Sequence, residues 1–119
     1  MRFTKIEGHF KTRQQALAVI AGVGWHALEK TFSAEDALHW HDFDAVVYVL
    51  NGTACAEFED GTVLHAPAGS RIAAPAGVAH RNVGPDWQGI LAFREHPSRL
   101  TQPVNKPLSS RPQAGRSQS

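Results

Sequence analysis

Cysteine is almost missing from this chain: Cys55 stands alone among 119 residues. That excludes an internal disulfide and fits a reducing, cytoplasmic setting. Net charge is nearly missing too, with 12 Lys and Arg against 11 Asp and Glu. Such a balance leaves no electrostatic footprint for nucleic acid or for an anionic membrane surface. No apolar run approaches a membrane span. The start, Met1-Arg2-Phe3-Thr4-Lys5, lacks the apolar core of a signal peptide. No helix-turn-helix segment and no internal repeat is visible. The length allows one domain with one core, not two. These absences lead us to expect a soluble cytoplasmic domain with neither nucleic acid nor membrane as a partner.

Histidine, by contrast, is plentiful, with 7 in the chain. His39-Trp40-His41 is answered downstream by Pro75-Ala76-Gly77-Val78-Ala79-His80. In extended backbone the side chains of residues 39 and 41 share a face. Two imidazoles on one face are half of a first-row metal site, and His80 on another strand can supply a third ligand. A buried or surface histidine set without metal is the plainer reading of any lone His-x-His pair.

The period of the apolar residues gives the architecture. Residues 12 to 21 read as a short helix, with Thr12 as N-cap and Gln15 completing a capping box. Gly22 and Gly24 end it. From Trp25 onward the period is two. Ala45 to Leu50 is β-branched and apolar, a buried strand. Asn51-Gly52 is a strong hairpin signal, so Thr53 to Glu59 is expected to pair back on that strand. Short strands at near-regular spacing continue to Arg94. The pattern is that of an all-β sandwich or barrel. Three segments follow: 1–23 with the short helix, 24–96 as the barrel, and 97–119 as a Pro-, Ser- and Arg-rich tail expected to be disordered, or ordered only against a partner.

Residues 24 to 94 resemble the cupin superfamily, and two motifs carry the likeness. The family's first motif is Gly, five residues, His-x-His, three or four residues, Glu, six residues, Gly. His39, His41 and Gly52 match it; Ser33 replaces the first glycine and Ala45 the glutamate. The second motif is Gly, five residues, Pro-x-Gly, two residues, His, three residues, Asn. Gly69, Pro75, Gly77 and His80 match; Gly84 stands at the asparagine position, with Asn82 two residues earlier. The resemblance implies a double-stranded β-helix (jelly-roll) barrel with a divalent transition metal, Fe, Zn, Mn or Ni, held by His39, His41 and His80. It also implies a homodimer associated through the sheets.

With alanine at position 45, three neutral imidazoles leave the metal's charge uncompensated, which suits a ligand bringing an anionic oxygen. Asp44 is one residue away and becomes a ligand if a bulge at residues 42–43 turns it inward. Tyr48 and Phe58 are candidates to line the barrel mouth, and Arg71 or Arg81 to pair with a substrate carboxylate. For Tyr48 and Phe58 the alternative is packing, and for the arginines a solvated surface. Two functions stand open: a metal barrel that binds or transforms a small anionic metabolite, by dioxygenase- or isomerase-like chemistry if it is an enzyme, and a non-catalytic ligand-binding or sensor module that works with or without metal. Fold alone names no reaction.

Overall fold

The structure is a computed structural model, and it describes residues 2–100 and 103–111. The elements run β1 (Thr4–Ile6), α1 (Arg13–Gly22), β2 (His26–Phe32), β3 (His39–Trp40), β4 (Ala45–Asn51), β5 (Thr53–Phe58), β6 (Val63–Pro67), β7 (Arg71–Ala74), β8 (His80–Asn82), β9 (Trp87–Phe93) and β10 (Lys106–Pro107). Two antiparallel sheets face each other. One has the order β1-β7-β4-β9-β2, the other β10-β3-β8-β5-β6. This is the all-β jelly-roll barrel expected, with one short helix.

The helix forms where its cap predicts. Thr12 Oγ1 accepts from the Gln15 backbone N–H, and Gln15 Oε1 accepts from the Thr12 N–H. Its buried residues, Ala16 and Ile20, lie one turn apart on one face. They pack against Val46, Tyr48, Ile90 and Ala92 on the outer side of the first sheet. The alternate residues of β4, Ala45, Val47 and Val49, point between the sheets into the main core with Phe3, Phe43, Ile72, Trp87 and Phe93. β4 is therefore covered on both faces, which is why its sequence is continuously apolar.

Two local expectations are corrected. β5 does not return on β4. β4 pairs with β7 and β9, while β5 pairs with β6 and β8 in the opposite sheet. Gly52 has φ 81°, but no described non-glycine residue has positive φ. A two-residue hairpin turn of the Asn-Gly type needs both. With one, the chain crosses between sheets. The true hairpin is β5–β6, turned at Gly61 with φ 85°. The segment before residue 24 is also no separate unit: β1 extends the first sheet along β7, and Phe3 enters the core.

The tail is the largest correction. Residues 97–99 and 108–110 form 3-10 turns, and β10 between them pairs with β3, Lys106 opposite Trp40 and Pro107 opposite His39. Trp40 Nε1 donates to the Pro107 carbonyl at 3.0 Å, and Arg111 makes a two-bonded contact with the Glu59 carboxylate. Composition predicted disorder because this stretch has few apolar side chains. The backbone of β3 and a few polar anchors hold it instead. Residues 101–102 and 112–119 of that tail lie outside the described residues.

Gly89 on β9 marks a tight spot. A Cβ there would meet the Tyr48 carbonyl oxygen at 2.8 Å and Trp87 Cζ3 at 2.9 Å. Since backbone and a ring must both give way, Gly89→Ala is expected to destabilise the fold by about 1–3 kcal/mol. Urea denaturation checks this; an unchanged midpoint would show that the sheet relaxes freely there.

Candidate metal centre

β3 carries His39 as its first residue and His41 just past its end; β8 opens with His80. In register, His39 lies opposite His80. Extended backbone places 39 and 41 on one face, as their spacing predicts. The three rings close into a cluster, with centroids 4.4 Å apart for His39–His80, 5.0 Å for His39–His41 and 5.1 Å for His41–His80. One ring nitrogen from each lies within 4.8 Å of the others. His39 and His80 are 8% and 7% exposed.

The other ring nitrogens are engaged. His41 Nδ1 is 3.0 Å from the Val104 carbonyl, and His80 Nδ1 is 2.9 Å from the Val78 carbonyl. A carbonyl only accepts, so both Nδ1 atoms carry the proton and both Nε2 atoms keep a lone pair. His39 bonds the Ala37 backbone, and its Nδ1 lies 3.6 Å from Glu35 Oε2. Burial is the main cause of the low basicity of all three. It holds His80 at about 3 and His39 at about 4, and neighbouring imidazoles push both the same way. His41 is lowered by burial as well, against the opposing effect of its bond to Val104. Three neutral imidazoles, with the Nδ1–H of His41 and His80 bonded to carbonyls and their Nε2 lone pairs free, fit a divalent transition metal.

The loop that delivers His80 is fixed from both sides. Gly77 has φ 84° and donates its N–H to the His41 carbonyl at 2.8 Å. Asp44 Oδ1 accepts from the Ala76 N–H at 2.9 Å. Asp44 is thus exposed and committed to this loop, and the group of closely gathered ligand atoms does not include it. No inward bulge occurs: Ala45 is the residue that faces the core.

A cavity of about 460 Å³ opens beside the histidines. Four of its wall residues are alanines, 45, 54, 56 and 74, and their small size leaves the space. The larger apolar wall residues include Val47, Ile72, Leu91 and Phe93. Leu100, Val104 and Asn105 complete the wall from the C-terminal segment. The expected pocket residues lie elsewhere. Tyr48 packs under the helix on the outer side of β4. Arg71 is its register partner on β7 and flanks the inward Ile72. Phe58 does face inward, but it is filled against Phe3 with centroids 5.3 Å apart and does not line the cavity. Arg81 is bonded to Glu57 at 2.6 Å and to the Asp36 carbonyl.

Two charged residues that the motifs do not mark line the cavity, Glu35 and Lys30. Glu35 Oε1 accepts from the Asn82 N–H at 2.8 Å, and the Glu35 N–H donates to the Asn82 carbonyl. That leaves Oε2 facing His39. Asn82, displaced from the family's asparagine position, thus anchors this carboxylate by its backbone. Lys30 projects from the inner face of β2 and its charge is felt by His39 and His41. Period-two counting along β2 places Lys30 between the inward Leu28 and Phe32. Nothing local marks Glu35, because it reaches the site from an irregular loop.

Comparison with known proteins agrees on the fold. No family model matches the sequence, and no curated protein matches it. Among solved structures, protein NMB1881 from Neisseria meningitidis superposes with a TM-score of 0.55 at 20% identity, over 60% of this chain and 75% of that one. A DUF861 family protein from Thermotoga maritima, TM1112, gives 0.54 at 17% identity, over 76% of this chain and 98% of that one. At such identities the likeness shows a cupin fold. No described helix is long and apolar enough to cross a membrane.

The buried imidazoles make the metal-free protein acid-sensitive. Unfolded histidine gains a proton near 6.5, while folded His39 resists to about 4 and His80 to about 3. The unfolded chain therefore binds more protons below 6.5. The stability this confers is complete above 6.5 and drains away as pH falls toward 4. Urea midpoints at pH 7.5, 6 and 5 are expected to fall steadily for the parent and less steeply for a His39→Gln, His80→Gln double variant. Equal slopes would contradict burial of neutral rings.

Proposed function

We propose that this barrel holds a divalent transition metal through His39, His41 and His80 and binds a small anionic metabolite beside it. The observation that carries the reading is the convergence of three neutral imidazoles, two buried and one half-buried, on the edge of a 460 Å³ cavity. Buried polar groups without such a purpose are costly. The metal, Fe, Zn, Mn or Ni, would act there as a Lewis acid or as a centre for oxygen chemistry.

The chain's own residues divide the remaining work. Val104 and Val78 hold His41 and His80 by their carbonyls and keep Nε2 free. Ala45 contributes no charge, so the anionic oxygen comes from the ligand. Glu35, with Oε2 unbound to backbone and a proton-accepting group by nature, is the residue placed to take or return a proton within the cavity. The apolar wall excludes bulk water around the ligand.

A non-catalytic binding module is the second reading. The scarcity of acid–base groups favours it: Glu35 is the one carboxylate in the described cavity wall. Turnover assays across oxo acids, diols and thiols with metal-loaded protein distinguish the two. Thermal stabilisation by a ligand that is never converted would favour the module.

Elemental analysis of the purified, untagged protein tests the metal itself. Near-stoichiometric metal is expected in the parent and none in a His39→Ala, His80→Ala variant. No uptake after incubation with Fe(II), Zn(II), Mn(II) and Ni(II) would overturn the reading. Ala45→Glu adds a carboxylate to the inner face of β4, where tighter metal retention is expected; weaker retention would mean that position 45 does not address the histidines.

A further inference from the structure

We infer that the ligand of this cavity is a carboxylic acid with an apolar body, not a sugar acid or another polyhydroxylated anion. The inference rests on the proposed metal site for the position of the carboxylate but on the wall alone for the nature of the body.

The wall is divided by chemistry. The polar members of the wall are the three imidazoles, Glu35, Asn82 and Lys30; Glu35 lies 3.6 Å from His39, and the Lys30 ammonium sits over the Phe32 ring. A divalent ion with three neutral ligands adds two positive charges there and Lys30 adds a third. Glu35 offsets one. The surplus is positive, so an anionic head is favoured at this end. The rest of the wall is apolar: the two sheets present Val47, Ile72 and Leu91 on one side and Ala54 and Ala56 on the other. None of these side chains has a hydrogen-bonding group. A hydroxyl placed against them would lose its water and gain no partner. A hydrocarbon placed there loses nothing and leaves water.

The cavity also has a way in. Leu28 and Lys30 line it from β2, yet Leu28 is 50% exposed. β2 is an edge strand. Entry along this edge carries an acid past the Lys30 ammonium before its body meets the apolar wall. Lys30 Nζ lies 4.8 Å from the Phe32 ring centroid, so its charge is held over the wall.

The test is titration calorimetry on the full chain with measured metal content, loaded with Zn(II) and also metal-free. The probes are acetate, butyrate, hexanoate and gluconate. Affinity is expected to rise about threefold or more for each added methylene, with gluconate at least tenfold weaker than hexanoate. Ala54→Leu fills part of the apolar wall; it is expected to abolish most of the gain from butyrate to hexanoate, with far-UV circular dichroism and metal content read alongside to establish that the variant is folded. Lys30→Met is expected to weaken every acid severalfold without loss of metal. A flat series, or gluconate binding as well as hexanoate, overturns the inference. Failure to load metal refutes the proposed centre instead, and the metal-free series still decides the inference: the chain-length slope belongs to the wall, and its absence there counts against an apolar body.

Discussion

Two backbone carbonyls, those of Val78 and Val104, set the chemistry of this barrel. Each accepts the Nδ1 proton of a histidine, so the ring turns its lone pair toward its two neighbours. Without them His41 and His80 would have no fixed tautomer. The Val78 carbonyl belongs to the loop that delivers His80, and that loop is held by Asp44 and by the His41 backbone. The Val104 carbonyl belongs to the C-terminal segment, held by β10 on β3 and by Trp40 on Pro107. A segment remote in sequence therefore fixes one of the three imidazoles. Were a metal held here, that carbonyl would orient one of its ligands as surely as the ligand's own strand does.

The alternation of β4 explains how site and scaffold share one strand. Ala45, Val47 and Val49 turn inward, and Val46 and Tyr48 turn out to the helix. The outer packing by Ala16 and Ile20 supports the sheet whose inner face bounds the cavity. Small residues at four inward positions leave the space that larger ones would fill. The cost of that space is lost packing, and its placement next to the histidines is what gives it a use.

Much of this was legible in the sequence, and the misses have physical causes. The helix start was legible because a capping box is local. The histidine trio was legible because period-two spacing and the Gly-Pro-Gly-His motif fix both loop and ligand. Pairing was not: Asn51-Gly52 signals a turn, but which strands lie beside β4 is a long-range matter that a turn residue does not encode. Tyr48 and Arg71 look like cavity residues from the sequence although counting by two from Ala45 puts Tyr48 outside; an uninterrupted apolar strand hides its two faces. Asp44 carries a charge near the vacant position, yet it bonds a backbone N–H instead. The tail's composition concealed β10, because two residues of backbone pairing and an ion pair need few apolar side chains. Glu35 came from a loop with no period at all.

The central claim is that the three rings are neutral and that His41 and His80 are protonated on Nδ1 with Nε2 free. Nitrogen-15 NMR of the metal-free full chain near pH 7, correlating ring nitrogens with ring carbon-bound protons, reads the tautomer of each histidine directly. The account predicts a protonated Nδ1 and an unprotonated Nε2 at His41 and His80, and a neutral ring at His39. Protonation of Nε2 at His41 or His80, or a charged ring at that pH in any of the three, would contradict it.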